Sequence, residues 1–219
     1  MSEMWNSPDK FNREALLWDE NPRRRSLALA VAKAIIASVN PAKTMRAMEF
    51  GCGTGLVTLE IAQLVRSVSA IDTSSEMLAV LSQKIQSSQR ANIETTCVDL
   101  SQSPDFMTQH AKRFDLIYSS MTLHHVDDTA GFLNKISNLL SPGGLIALAD
   151  LDHEDGSFHD DPLEKVHHGF DRTVLAIQLK AAGLENILFE TIYTLEKVNS
   201  SGVSASYPVF LVTATRAMS

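Results

Sequence analysis

The 219 residues are many for one average domain and few for two; 44% are apolar, enough for a large core, and 21% are charged. A net charge of −7 argues against a nucleic-acid backbone or an anionic membrane as main partner, because both need clustered Lys and Arg, and leaves a small or neutral substrate. The only cysteines, Cys52 and Cys97, suggest no disulfide framework; the first residues lack a signal peptide's apolar core, and the most apolar stretch, 27–39, is too short to span a bilayer, so a cytoplasmic protein is expected.

Residues 1–22 are mixed, with Trp5, Phe11 and Trp18, and predict only a short helix over 12–18. Pro22 opens a longer helix with apolar residues at 27, 31, 35, 36 and 39 on one face, stopped by Asn40-Pro41. Arg23 to Arg25 at its start oppose the helix dipole and ask for partners such as Asp19 and Glu20, or for an anionic ligand. Met45 to Leu56, MRAMEFGCGTGL, then reads as a short strand carrying Glu49, a turn with glycine at every second position, and a helix whose apolar stripe is Val57, Ile61, Leu64, Val65 and Val68. Such glycines permit positive φ and close approach of a ligand, with helix-opening N–H groups aimed at it, so a nucleotide-like cofactor is expected here.

A second strand, Val68 to Asp72, precedes a capping box over Thr73 to Glu76 and a helix with Met77, Leu81 and Ile85. The third strand, Ile93 to Val98, ends at Asp99; Ser103-Pro104 caps a short helix, and Phe114 to Ser119 is the fourth strand. Asp127 or Asp128 opens a helix containing Phe132, Ile136, Leu139 and Leu140, SPGG ends it in a turn, and Leu145 to Leu151 is the fifth strand. Acids, histidines and glycine over 152–170 read as a loop or lid with at most a short helix after Asp161-Pro162. Asp171 caps a helix that stops at Gly183, and the strands Ile187 to Val198 and Val209 to Arg216 form a terminal hairpin. Alternating units of this kind predict a doubly wound α/β sheet that binds its ligand beyond the carboxyl ends of the strands.

A dinucleotide fold would need glycine at position 56, where the chain has Leu56. Instead it carries E-x-G-x-G-x-G, an acid ending the second strand, an acid ending the third, and FDLIYSSMTLHHV followed by LLSPGG. In these features, most strongly over Met45 to Leu148, it resembles the class I S-adenosylmethionine-dependent methyltransferases, in particular the small-molecule enzymes of types 11 and 25. The resemblance implies a Rossmann-like doubly wound sheet of about seven strands with the last antiparallel. It further implies an N-terminal helical segment, 1–40, covering the cofactor site, and a cofactor-binding domain over 41–219 with 152–170 as lid.

Carried onto this chain, the resemblance puts Gly51, Cys52 and Gly53 against the methionine and ribose of the cofactor, with Glu49 beneath them facing the ammonium through water. Asp72 would accept both ribose hydroxyls, Thr73 and Met77 would border the adenine, Asp99 would take the adenine amino group, and the Leu100 N–H a ring nitrogen. Ser119 would offer its backbone carbonyl to the cofactor's amino group. Met77 equally suits core packing, and Cys52 reads as a small residue filling the turn, with no nucleophilic role.

His124 and His125 are the candidates for a catalytic base, against the alternative that they close the loop by bonding to backbone. The spacing of His153, His159, His167 and His168 matches no standard metal site, and no metal is expected. The segment YSSMTLHH is not the tetrapeptide of exocyclic-amine methyltransferases, so the acceptor is expected to be a small molecule rather than nucleic acid or membrane. Rival readings are a non-catalytic cofactor-binding module and an NAD(P)-dependent oxidoreductase, the latter disfavoured by Leu56 and the lack of a Tyr-x-x-x-Lys pair. The terminal hairpin offers an edge for a homodimer.

Overall fold

The structure, a computed structural model, describes residues 8–159, 164–198 and 202–218. Trp5 and the short helix expected after Asp161-Pro162 lie outside these residues. Seven strands form one sheet in the order β3-β2-β1-β4-β5-β7-β6. They are β1 (Arg46–Phe50), β2 (Ser67–Asp72), β3 (Ile93–Cys97), β4 (Phe114–Ser120), β5 (Leu140–Leu151), β6 (Leu184–Val198) and β7 (Ser204–Arg216). The first five pair in parallel, and β7 lies antiparallel between β5 and β6. Strand order reverses between β1 and β4, where the glycine turn leaves the sheet, and that is where a sheet of this kind opens a crevice for ligand.

Side-chain alternation divides the apolar strands between two cores. Ala47, Leu116, Tyr118, Ala147, Ala149 and Leu211 face one layer, packed under Leu27, Val31 and Ile35 of α2 (Pro22–Val39). Met48, Ile117, Ile146, Leu148, Phe210 and Val212 face the other, under Phe132, Leu133 and Ile136 of one helix and Leu175 and Leu179 of another. Coverage on both faces is the reason the central strands read as unbroken apolar runs.

Local signals set most of the boundaries. Asn21 Oδ1 accepts from the N–H groups of Arg23 and Arg24 to cap α2, and Asn40, in the left-handed region at φ 50°, ends it. On the far side of the sheet, Asp128 caps Thr129–Ser137 and Asp171 caps Arg172–Ala181.

Elsewhere tertiary partners override the local pattern. The expected helix over 12–18 is instead α1 (Asp9–Glu14) followed by a 3₁₀ helix over Ala15–Glu20, whose tighter winding presents Asp19 to Thr54 and Lys84. After the glycine turn only one α-helical turn forms, α3 (Thr58–Ile61). The carbonyls that would continue it are taken by side chains, Ala62 O by Asn92 and Gln63 O by Lys43.

Ser74, not Thr73, caps α4 (Ser75–Ser87), its hydroxyl accepting from Met77 N at 3.1 Å. The SPGG turn is absorbed into β5 as an irregularity, a step of five positions on β5 from Leu140 to Leu145 matching a step of two on β4 from Phe114 to Leu116. The terminal strands are longer than their apolar cores suggest, because β6 and β7 pair from Leu184↔Arg216 to Val198↔Ser204.

Candidate active site

A cavity of about 660 Å³ lies over the carboxyl ends of β1, β2, β3 and β4, a size suited to a nucleotide-like cofactor with a small second ligand. Its floor is the glycine turn. Gly51 (φ 65°) lies against Thr122 so closely that a Cβ would come within 2.2 Å of that hydroxyl, whereas a Cβ on Gly53 (φ 52°) would meet no atom within 4 Å. Gly51 thus lets the β4 loop pack down, and Gly53 keeps the cavity floor bare where a ligand would rest.

Asp72, at the end of β2, ties the two sides of this floor together. Its Oδ2 accepts from Gly53 N at 2.7 Å and its Oδ1 from Ser74 N at 2.8 Å. Burial raises its pKa, against the lowering effect of these backbone donors. Each oxygen retains a lone pair for a further donor.

Glu49 is buried beneath the turn, and its pKa rises from 4.5 to about 8 because burial disfavours the carboxylate. Thr58 Oγ1 donates to its Oε2 at 2.5 Å, while the Tyr118 hydroxyl faces the same carboxyl without a well-aligned hydrogen bond. Burial also pushes the Cys52 thiol well up, with Asp72 and Glu49 adding to the effect, so Cys52 stays an uncharged thiol.

Thr73, Met77, Asp99 and Leu100 line the same cavity, as do His124 and His125. Asp99 Oδ1 is partly engaged by Ser101 N at 2.8 Å. Ser119 is the exception. Strand β4 runs to Ser120, the pairs Ser119↔Leu148 and Ser120↔Ala149 carry Ser119 into the sheet, and its hydroxyl donates to Phe50 O at 2.7 Å. Ser120 reaches the cavity in its place.

The two histidines after β4 differ in environment. His124 is 2% exposed, with Nδ1 at 2.7 Å from Asp150 Oδ1 and its own N–H directed to Asp150 Oδ2 at 3.2 Å. His125 packs edge-on to Phe11 with ring centroids 5.3 Å apart. Burial, chiefly, and the neighbouring His124 hold the His125 pKa well below 6.5, so it is neutral at pH 7.

Several residues that line the cavity or fasten its walls carry no motif. Asp19 accepts from Thr54 Oγ1 at 2.5 Å and pairs with Lys84, while Asn12 Oδ1 accepts from Ser74 Oγ at 2.7 Å, so the N-terminal helices are tied to the glycine turn and to the cap of α4. Arg24 finds Glu14 at 2.6 Å and stacks 3.6 Å over the Trp18 ring, rather than meeting Asp19 or Glu20 through its side chain. Across the mouth, Lys10 and His159 both hold Glu164, at 2.7 and 3.3 Å. The hydrogen bond from His159, with Lys10 second, lowers the Glu164 pKa to about 2 despite its partial burial. Asp150 left a signal in the sequence, a lone acid inside the apolar run LIALADL. Among the described residues, no group of three His, Cys, Asp or Glu could hold a metal ion.

A family model described as a methyltransferase domain matches residues 48–148, the span from β1 through the glycine turn to β5. This stretch, a little under half of the chain, is similar to a methyltransferase domain. An uncharacterized methyltransferase of Schizosaccharomyces pombe is 32% identical to the chain over 160 residues, 65% of this chain and 54% of that protein. A ubiquinone biosynthesis O-methyltransferase of Xanthomonas axonopodis is 28% identical over 155 residues, 68% and 62% of the respective chains. The chain therefore spans little more than half of these curated relatives. Among solved structures, the N-methyltransferase NodS of Bradyrhizobium japonicum, in complex with S-adenosyl-L-homocysteine, superposes with a TM-score of 0.69 at 16% identity, over 96% of this chain and 98% of NodS. The YcgJ protein of Bacillus subtilis gives the same TM-score at 15% identity, over 85% and 98%. At such identities the likeness is one of fold, and the strand order with antiparallel β7 is that of the class I methyltransferase fold.

Proposed function

We propose that the methyltransferase domain binds S-adenosylmethionine and transfers its methyl group to a small-molecule acceptor, releasing S-adenosylhomocysteine. The observation that carries this reading is Asp72: fixed by one backbone N–H on each oxygen, it turns two remaining lone pairs to the cavity, the pattern two adjacent ribose hydroxyls require. Bare floor at Gly53 leaves room for the ligand's backbone approach, Glu49 lies beneath the methionine end, and Thr73, Met77, Asp99 and the Leu100 N–H serve the adenine.

When bound, the cofactor supplies an electrophilic methyl on a sulfonium. The protein's part is to hold the acceptor atom in line with it at about 3 Å, which alone can supply several kcal/mol of the rate enhancement. Residues 8–40 act as a cover tied down through Asn12 and Asp19, and 152–159 with 164–170 as a lid over the acceptor end. A cavity of this size suits a small acceptor rather than a nucleic acid or a membrane, and a cytoplasmic site of action fits the composition. The free edge of β6 is the surface through which a homodimer would form.

Calorimetric titration tests the reading. S-adenosylmethionine and S-adenosylhomocysteine should bind and NADH should not, and Asp72→Ala, by removing two charge-assisted hydrogen bonds, should weaken both sulfur ligands by about 100-fold or more. Failure of both to bind the folded wild type would overturn it.

A further inference from the structure

The acceptor end of the cavity combines a fixed base with aromatic walls. Asp150 is 0% exposed, and its carboxylate takes three donors from the protein: His124 Nδ1 at 2.7 Å, His124 N at 3.2 Å and Leu151 N at 2.8 Å. Both Asp150 oxygens already accept a backbone N–H, so the side chain stands as an acceptor to the Nδ1 proton, which leaves Nε2 of this cavity-lining ring as the lone pair. Burying a carboxylate in a sheet otherwise covered on both faces is costly, and orienting a base is a use that accounts for it.

Thr122, two residues before His124, packs on Gly51, which sets this imidazole beside the methionine end of the floor. The surrounding wall is a chain of rings: Phe11 edge-on to His125 at 5.3 Å, His125 edge-on to His159 at 5.9 Å, and Phe158 edge-on to His159 at 5.1 Å. Lys10 is paired with Glu164 here, and Lys197 donates to the Phe158 carbonyl. His125, neutral at pH 7, adds no charge.

We infer that the acceptor is an aromatic hydroxyl, a phenol or catechol, and that His124, positioned by Asp150, takes its proton as the methyl is transferred. The inference rests on the methyltransferase reading above. Flat rings fit a slot of ring faces and edges. A hydroxyl of pKa about 10 is a poor nucleophile until deprotonated, so it is the acceptor that has most need of a base. In the step, the hydroxyl oxygen gives its proton to His124 Nε2 and forms the new bond to the methyl carbon. The bond from that carbon to sulfur breaks with its electron pair kept by sulfur, leaving a neutral thioether and an aryl methyl ether. The imidazolium, balanced by Asp150, loses its proton to solvent after product leaves.

The test uses the full chain with S-adenosylmethionine, offering catechol, 4-nitrocatechol, phosphoethanolamine and benzoate and detecting methylated product by mass spectrometry. Methyl transfer to the catechols is expected, and none to the other two. Asp150→Asn and His124→Gln should each lower kcat on catechol by 100-fold or more, with S-adenosylhomocysteine affinity kept within about threefold. On 4-nitrocatechol, largely ionised in solution, the loss should shrink to tenfold or less, because a phenolate needs no base; a merely structural role would cost both acceptors equally. Nitrogen-15 spectra of histidine-labelled wild type should show the His124 ring protonated at Nδ1 and bare at Nε2. Transfer to phosphoethanolamine or benzoate alone, no transfer to either catechol, equal losses on the two catechols, or a proton on Nε2 would each overturn the inference while tight S-adenosylhomocysteine binding left the methyltransferase reading standing. Loss of that binding in the wild type would instead remove the reading beneath it. Should Asp150→Asn fail to fold, His124→Gln and the wild-type spectra carry the test.

Discussion

Glu49 should make this protein less stable as pH rises. A carboxyl with a folded pKa of about 8 and an unfolded value near 4.5 is still protonated in the native state at pH 7, when the unfolded chain has given its proton up. The native state therefore binds more protons across that window, so the stability contribution is whole below pH 4.5 and is withdrawn progressively up to pH 8. At 1.36 kcal/mol per pH unit the full withdrawal is about 5 kcal/mol, of which about 3 kcal/mol falls between pH 5.5 and 8.5. Glu49→Gln keeps an acceptor for Thr58 and removes the titration. In urea unfolding of ligand-free protein, the variant should gain about 3 kcal/mol on the wild type between those two pH values. The same proton should leave when a ligand ammonium arrives: at pH 7 about nine-tenths of a proton per binding event, read from the difference in calorimetric heat between phosphate and Tris buffers. Parallel pH profiles for the two proteins, together with buffer-independent heats, would refute the reasoning.

Gly169 sits at φ 68° with the position of a Cβ 2.1 Å from Asp152 O, so Gly169→Ala should force apart the bridge between Asp152 and Phe170 and lower stability by about 2 kcal/mol or more, seen as a drop in Tm. Asp19→Ala removes the contacts to Thr54 and Lys84, both of them partly exposed, and should cost the whole domain no more than about 1 kcal/mol. Hydrogen exchange in residues 8–20 should nevertheless speed up by about tenfold, with the sheet unaffected; an unchanged rate there would show that those contacts do not hold the segment down.

What was legible in the sequence was what neighbours in the chain decide. The alternation of apolar runs with capped helices gives the sheet up to β5, because Asn21, Asp128 and Asp171 act on the residues next to them. Glu49, Asp72 and Asp99 could be singled out because an acid lies within the first strand and just at or past the ends of the second and third, the pattern on which the family resemblance rests. What was not legible depends on residues distant in sequence. The helix after the glycine turn loses its later turns to Asn92 and Lys43. Ser119 is carried inside the sheet by pairing with Leu148, which its own flanks cannot reveal. His159 and Glu164 meet Lys10 from the other end of the chain, so no spacing rule brings them together. Asp150 was readable by the same logic as Glu49, but its partner lies 26 positions away.

No side chain of α1 is buried, and of the 3₁₀ helix that follows only Ala15 is. This strip lies along the cavity wall and is fastened by polar links through Lys10, Asn12 and Asp19. Water and salt compete with fastenings of that type, whereas they barely touch an apolar seam. A cofactor could enter or leave by peeling the strip back, at a cost set by a few surface contacts and with the two cores left intact. Ionic strength would then govern how fast the site fills far more than how well the domain holds together.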